Sequence, residues 1–140
     1  MSFYIPDTDI AGFVQSRHAT VLQHIGALPV DAMAVTTIIT FGEDLSGWLP
    51  ACRRAPDGVA RAQAYSRLQR GLDFYRQMAC LPFDDDAVVV FDQLRAQKPG
   101  VGTNDLSIAA ITLSAGGVLV TRNAVDFQKI PGLLLEDWTK

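Results

Sequence analysis

Cysteine and histidine are scarce in this chain, with two of each among 140 residues. Cys52 and Cys80 are too few for a disulfide framework and fit reduced thiols. They make no metal-ligand spacing with His18 or His24, so a zinc site is not expected. Both histidines fall six residues apart in one predicted helix, where structural or solvated roles are expected. Long apolar runs are missing as well: none approaches the ~20 residues of a membrane span. The N-terminus lacks the basic-then-apolar layout of a signal peptide, and the expectation is a cytoplasmic protein. Nucleotide cradles are absent too, since neither G-x-G-x-x-G nor G-x-x-x-x-G-K-[ST] occurs. No serine sits in a nucleophile elbow, and no Cys–His arrangement stands out.

What is present is ordinary for a globular protein: 49% of the residues are apolar and 19% charged. The length suits one core, so residues 1–140 are read as a single domain. The net charge of −3 argues against a generic nucleic-acid binder, but the charge is unevenly spread. Residues 51–80 hold six arginines (53, 54, 61, 67, 70 and 76) against Asp57 and Asp73, whereas the remainder holds six basic and thirteen acidic residues. Local charge, more than the total, decides phosphate attraction.

Apolar periodicity predicts strands at SFYIP, DAMAVTTI, VLVT and LLLEDW, with LPFD as a brief extended piece. Between them, IAGFVQSRHATVLQHIGAL reads as one helix, and ITFGEDLSGWLPA as a second with its cap near Thr40 and an interruption near Pro50. A third covers Val59 to Ala79, with Tyr65, Leu68, Leu72, Tyr75 and Ala79 on one stripe and Arg67 and Arg70 on the opposite arc. DDAVVVFDQLRAQ carries acids in its first turn, and TNDLSIAAITLSAGG starts on a Thr or Asn cap and stops at a glycine pair. Strands alternating with helices predict a three-layer α/β/α sandwich with a mainly parallel sheet. Ligands of such sheets bind beyond the carboxyl ends of the strands. Asp7 and Asp9 stand at one such end; Thr121, Arg122 and Asn123 stand at another, with Asp126 just beyond.

Acids then dominate the candidates: Asp7, Asp9, Glu43, Asp44, Asp105 and Asp126 come from four separate segments. Carboxylates gathered in one cleft repel one another unless a cation neutralises them. Oxygen-only ligands suit Mg²⁺ or Mn²⁺, and such a site can hydrolyse a phosphodiester. Singly, each acid has a plainer role: Asp7 or Asp9 as a helix cap, Glu43 and Asp44 as solvated acids, Asp105 as a dipole partner, Asp126 as the cap of the turn DFQKI.

Four stretches, YIPDTDI, TTIITFGED, VGTNDLSIAAITLSAGGVLVTRNAVDF and IPGLLLEDW, resemble in order the PIN-domain ribonucleases, specifically the VapC-like toxins of toxin–antitoxin pairs. The resemblance implies a Rossmann-like sandwich and an endoribonuclease dependent on Mg²⁺ (or Mn²⁺). It puts Asp7, Glu43 and Asp105 at the first three acidic positions and Asn123 at the fourth polar one, with Asp126 following. It further implies that Asp7 and Asp105 are the direct metal ligands, that Glu43 and the fourth position act through waters or as a second ligand set, and that Thr121 supports the cluster. A structured RNA such as transfer RNA, a small VapB-like antitoxin and a homodimeric partner copy are the implied partners. With RNA as substrate, Arg53, Arg54, Arg67 and Arg70 become candidate contacts to RNA or antitoxin. Three positions depart from the family: Asp9 where Asn is commoner, Asp44 where an apolar residue is usual, and Pro6 in a central strand, tolerable as its last residue.

Two other functions compete. An inactive PIN-like module would bind RNA or protein without cleaving. An Asp-x-Asp phosphatase resembling the haloacid dehalogenases would use Asp7 as nucleophile and Asp9 as general acid. The latter needs a lysine and an acidic pair further downstream than Lys129 and Glu136–Asp137 stand.

Overall fold

Parallel pairing runs through every strand of the computed structural model, which describes residues 1–140. Strand β1 (Ser2–Pro6) lies at the centre, flanked by β2 (Ala32–Ala34) and β5 (Val118–Val120), with β6 (Leu134–Glu136) outside β5. The chain of β2 passes through Val35 into β3 (Thr36–Thr37), which pairs with β4 (Cys80–Leu81). Val35 N–H still donates to Tyr4 O, and Thr36 N–H already donates to Ala79 O, so one extended segment changes partner at Val35. The sheet thus grows outward from β1 through β2–β3 to β4, then crosses to the far side of β1 for β5 and β6. Order reverses between β1 and β5, and the crevice beyond their carboxyl ends is the expected ligand site.

Alternation along the strands builds the three layers. Ile5, Val35 and Leu119 join the larger core cluster with Phe91, Leu94, Ile108, Phe127 and Ile130. Those last five come from α5 (Asp85–Ala96), α6 (Thr103–Ser114), α7 (Ala124–Phe127) and the turn after it. Tyr4, Ala34 and Val120, their sequence neighbours, point to the other face. There they meet Ile10 of α1 (Thr8–Gln15), Val21 of α2 (Ala19–Gly26) and Trp138. Burying side chains of this size stabilises by about 1.5–3 kcal/mol each. No helix is long and apolar enough to cross a membrane.

The structure corrects the expected elements at several points. The first predicted helix is two, α1 and α2, because Arg17 takes a left-handed φ of 61° that no helix can continue through. His18 then caps α2, its ring accepting from Val21 N–H. His24 stacks on Trp138 and reaches the Lys140 carbonyl, so both histidines are structural. The second helix, α3 (Ile38–Arg54), begins at a Thr37 cap whose hydroxyl accepts from Thr40 N–H, and it continues four residues past Pro50. It packs against α4 (Gly58–Arg76) through Phe41 and Trp48, on the N-terminal side of the proline. Helix α6 starts at Gly102 with no side-chain cap, in place of the expected Thr or Asn. Pro6 is the last residue of β1, where the missing donor interrupts no ladder; Asp7 N–H resumes with Val120 O at 2.9 Å.

The stripe on α4 is also shifted. Tyr65 and Leu72 are exposed, Gly71 is buried, and Arg67 is half-buried over the Trp48 ring of α3 rather than on an outer arc. A close helix crossing explains it: a Cβ on Gly71 would lie 2.2 Å from Trp48 Cζ3. Gly71→Ala should therefore destabilise by about 1–3 kcal/mol through overpacking. Gly47→Ala on α3, where an added Cβ meets nothing within 4 Å, should gain about 0.5–1 kcal/mol. Urea denaturation of the two variants checks the contrast.

Candidate active site

Asp7 follows immediately on β1, and its carboxylate is fixed by two different elements. Oδ1 accepts from Ile10 N–H at 2.9 Å, which makes Asp7 the N-cap of α1. Oδ2 accepts from the Thr121 hydroxyl at 2.6 Å, across the β1–β5 switch. The helix-cap and site roles, set against each other by the sequence, therefore coexist in one residue. Asp7 is only 7% exposed, and burial raises its pKa above the ordinary 3.8. The two hydrogen bonds oppose that rise, and the charges of Asp9 and Asp105 add to it.

The other acids arrive from separate helices. Glu43 sits on the second turn of α3 and accepts from the Thr8 hydroxyl at 2.5 Å, which binds α3 to the start of α1. Asp105 lies in the first turn of α6, where the helix dipole favours a negative charge. Its pKa is nevertheless raised, first by burial and then by the charges of Glu43 and Asp126. After β5, Asn123 N–H donates to the Thr121 hydroxyl at 2.9 Å, and Asn123 Nδ2 donates to Asp126 at 2.9 Å. Asp126 is further drawn toward Lys129, at 3.7 Å.

Asp7, Thr8, Asp9, Gly12, Glu43, Asp105, Asn123 and Phe127 line one open cleft of about 420 Å³. Asp126 stands behind Asn123 rather than on this wall. No lysine or arginine lines the cleft, although burial and mutual repulsion already push two of its acids toward protonation. Apart from Asp9, which Arg122 pairs at the rim, this all-oxygen donor set has no counter-charge, and it suits a hard divalent cation. No three of these acids stand close enough together to hold an ion among themselves, so an ion here would keep waters or take substrate oxygens as further ligands.

The remaining candidates disperse. Asp9 sits at the exposed rim, paired with Arg122 at 2.5 Å, and Arg122 in turn lies 5.0 Å over the Phe13 ring. Asp44 turns away from the cleft, accepting from the Tyr75 hydroxyl and from Gln15 Nε2 at 3.0 Å. Gln15 Oε1 accepts from Arg67 Nη2 at 2.9 Å, so a polar chain ties α4 to α1. Arg53 and Arg54 are exposed at the C-terminal end of α3, far along the helix from Glu43, while Arg67 and Arg70 share a cavity beside the cleft. Thr8 and Gln15 are the positioning residues that sequence reasoning missed. Thr8 did carry a signal, standing between two acids directly after a strand; Gln15 carried none.

No family model matches the sequence. Among curated proteins, the chain is 25% identical over 143 residues to ribonuclease VapC1 of Haemophilus influenzae, with 98% of each chain covered. It is 32% identical over 88 residues to ribonuclease VapC2 of Rickettsia felis, covering 59% of this chain and 66% of that protein. A stretch of 69 residues is 38% identical to a tRNA(fMet)-specific endonuclease VapC of Salmonella typhimurium, covering 46% and 52%. The fold matches that of a chain of VapBC-1 from nontypeable Haemophilus influenzae, with a TM-score of 0.78, 24% identity and 99% of both chains covered.

The raised Asp7 pKa has a stability consequence. A carboxyl group whose folded pKa exceeds its unfolded value contributes stability below pH 3.8 that is lost as pH rises through the folded pKa. Asn caps helices as well as Asp does, and the Thr121 hydroxyl can accept from an Asn amide. Asp7→Asn should therefore raise the Tm of the metal-free protein at pH 7, and the gain should vanish below about pH 3.8. Thermal melts in EDTA across this range check it; a lower Tm for Asp7→Asn at pH 7 would contradict a buried charge at that position.

Proposed function

Since the chain belongs to the PIN-domain family of VapC-like toxins, we propose that it is a metal-dependent endoribonuclease that cuts structured RNA and is held in check by a VapB-like antitoxin. One observation carries the catalytic part: acids from the end of β1, from α3 and from α6 converge on an open cleft at the sheet's switch point, with no cation among them. The name of the Salmonella relative supports a transfer RNA as the kind of substrate. The VapBC complex among the structural neighbours supports the antitoxin, and a homodimer follows from the family resemblance.

In this proposal Asp7 and Asp105 hold Mg²⁺ or Mn²⁺. Glu43 and Asn123 act at its margin through waters or substrate oxygens. The chemistry such an ion supplies is charge neutralisation at the phosphodiester and acidification of water near neutral pH. The chain's own residues do the rest. Thr121 and the α1 N-terminus hold the Asp7 carboxylate in one orientation, and a fixed ligand costs no reorganisation during reaction. Thr8 holds Glu43 toward the cleft, where its carboxylate oxygens can accept from a water. Asp126 orients the Asn123 amide so that its oxygen remains free as an acceptor.

Asp7→Asn and Asp105→Asn should each lower RNA cleavage by about a hundredfold or more, the equivalent of about 2.7 kcal/mol or more of transition-state stabilisation. EDTA should stop the wild type, and Mn²⁺ should restore it. In cells expressing the chain alone, new RNA 5′ ends and slowed growth should be absent from the Asp7→Asn strain. Equal growth and identical RNA ends in the two strains would sink the proposal.

A further inference from the structure

Beside the acidic cleft lies a second cavity of about 290 Å³, lined by Gly12, Gln15, Ser16, Arg67, Arg70 and Phe74. Gly12 belongs to the walls of both cavities, and a Cβ built there meets nothing within 4 Å. The ridge between them thus carries no side chain, and a ligand can pass across it. The two sides differ in charge: carboxylates on one, two arginines on the other. Neither Arg67 nor Arg70 is in an ion pair. Arg67 is already positioned, bonded to Gln15 and lying 4.5 Å over Trp48. Arg70 is exposed on the next helical turn.

We propose that this cavity is a nucleotide subsite, taking the phosphate and base that adjoin the scissile bond of an RNA lying in the acidic cleft. It rests on the nuclease reading above and adds to it how the substrate is held. An RNA strand leaving the cleft carries phosphates away from a cluster of like charge, and the arginines across Gly12 are neighbouring cations that no carboxylate pairs, unlike Arg122 at the rim. Guanidinium forks match phosphate oxygens bidentately, and the restraint on Arg67 means little freedom is lost on binding. Phe74 supplies a ring on which a base can stack, and Gln15 and Ser16 supply polar groups at its edge. An acidic peptide would satisfy the arginines as well, but it would engage Phe74 only through an aromatic side chain at one position, whereas every nucleotide carries a base that can stack.

The test measures RNA affinity and cleavage separately. In the Asp105→Asn background, fluorescence anisotropy with a short labelled single-stranded RNA should show Arg70→Glu weakening binding by about tenfold or more. The log–log salt slope should fall by about one. Arg70→Lys, which keeps the charge and loses the fork, should bind with an affinity between those of wild type and Arg70→Glu. Gly12→Leu, at a position where an added Cβ meets nothing within 4 Å, should match the wild-type thermal melt and weaken binding to a similar degree by blocking the ridge. With otherwise wild-type protein, Arg70→Glu should raise KM for RNA and leave kcat within a few-fold. Unchanged RNA affinity and salt slope in both Arg70→Glu and Gly12→Leu would overturn the subsite. So would weakened capture of an acidic antitoxin peptide with RNA binding intact, which would assign the cavity to a protein partner. Failure of the nuclease reading looks different: Asp105→Asn would cleave as well as wild type, whatever Arg70→Glu does to affinity.

Discussion

The Asp7 carboxylate, held between a backbone N–H of α1 and the Thr121 hydroxyl, is the contact on which the site depends. It joins three things at one point: the end of the central strand, the start of the first helix and the end of the neighbouring strand. A buried carboxylate is costly, and two hydrogen bonds only partly offset the loss of water. What the fold gains is orientation. Each oxygen is tied by one bond and keeps further acceptor capacity, so the group is rigid yet still able to bind a cation. Remove the β1–β5 adjacency and Asp7 would be a simple helix cap; remove the cap and it would be an unanchored charge.

The acids that face Asp7 are positioned by the same economy of local geometry. Glu43 and Asp44 are sequence neighbours on α3, and consecutive helical residues point about 100° apart. One therefore turns into the cleft, where Thr8 holds it, and the other turns toward α4, where Tyr75 holds it, with Gln15 of α1 as its second partner. Asp44 makes a polar contact with α4 and extends it through Gln15 to Arg67. That chain fixes the α3–α4 arm relative to α1, and with it the distance between the acidic cleft and the arginines. The carboxylate that looked like a second candidate acid is thus a strut.

How much of this was legible in the sequence differs by level. The strands, their parallel pairing and the position of the acids at strand ends follow from apolar periodicity and the switch-point rule, and Pro6 marked where the first strand stops. The break at Arg17 was not legible, because a left-handed arginine has no compositional signature such as glycine would give. Pro50 misled in the opposite direction: local propensity argues for an interruption, and the helix nevertheless runs on to Arg54. The face of α4 was misjudged because periodicity weighs Tyr65 and Leu72 by hydropathy, whereas the crossing is set by the absent side chain of Gly71 and the broad ring of Trp48. At the site, residue types identified the acids, but only tertiary structure could separate Asp9, paired with Arg122 at the rim, from Asp7 inside it.

Net charge has little bearing on how a chain of this kind would handle RNA, because its charges are segregated over short distances. Acids converge where the sheet changes direction, since strand ends and helix starts are where backbone N–H groups and hydroxyls can hold them. Arginines collect on α4, where an aromatic ring and a glutamine can hold a guanidinium without a carboxylate. Had Arg67 been paired directly with Asp44, its charge would have been neutralised at the arginine cavity. Tyr75 and Gln15, both neutral, satisfy Asp44 instead, and the arginine keeps its charge uncompensated. A neutral hydrogen-bond relay between two charged groups thus preserves the positive field beside the negative one.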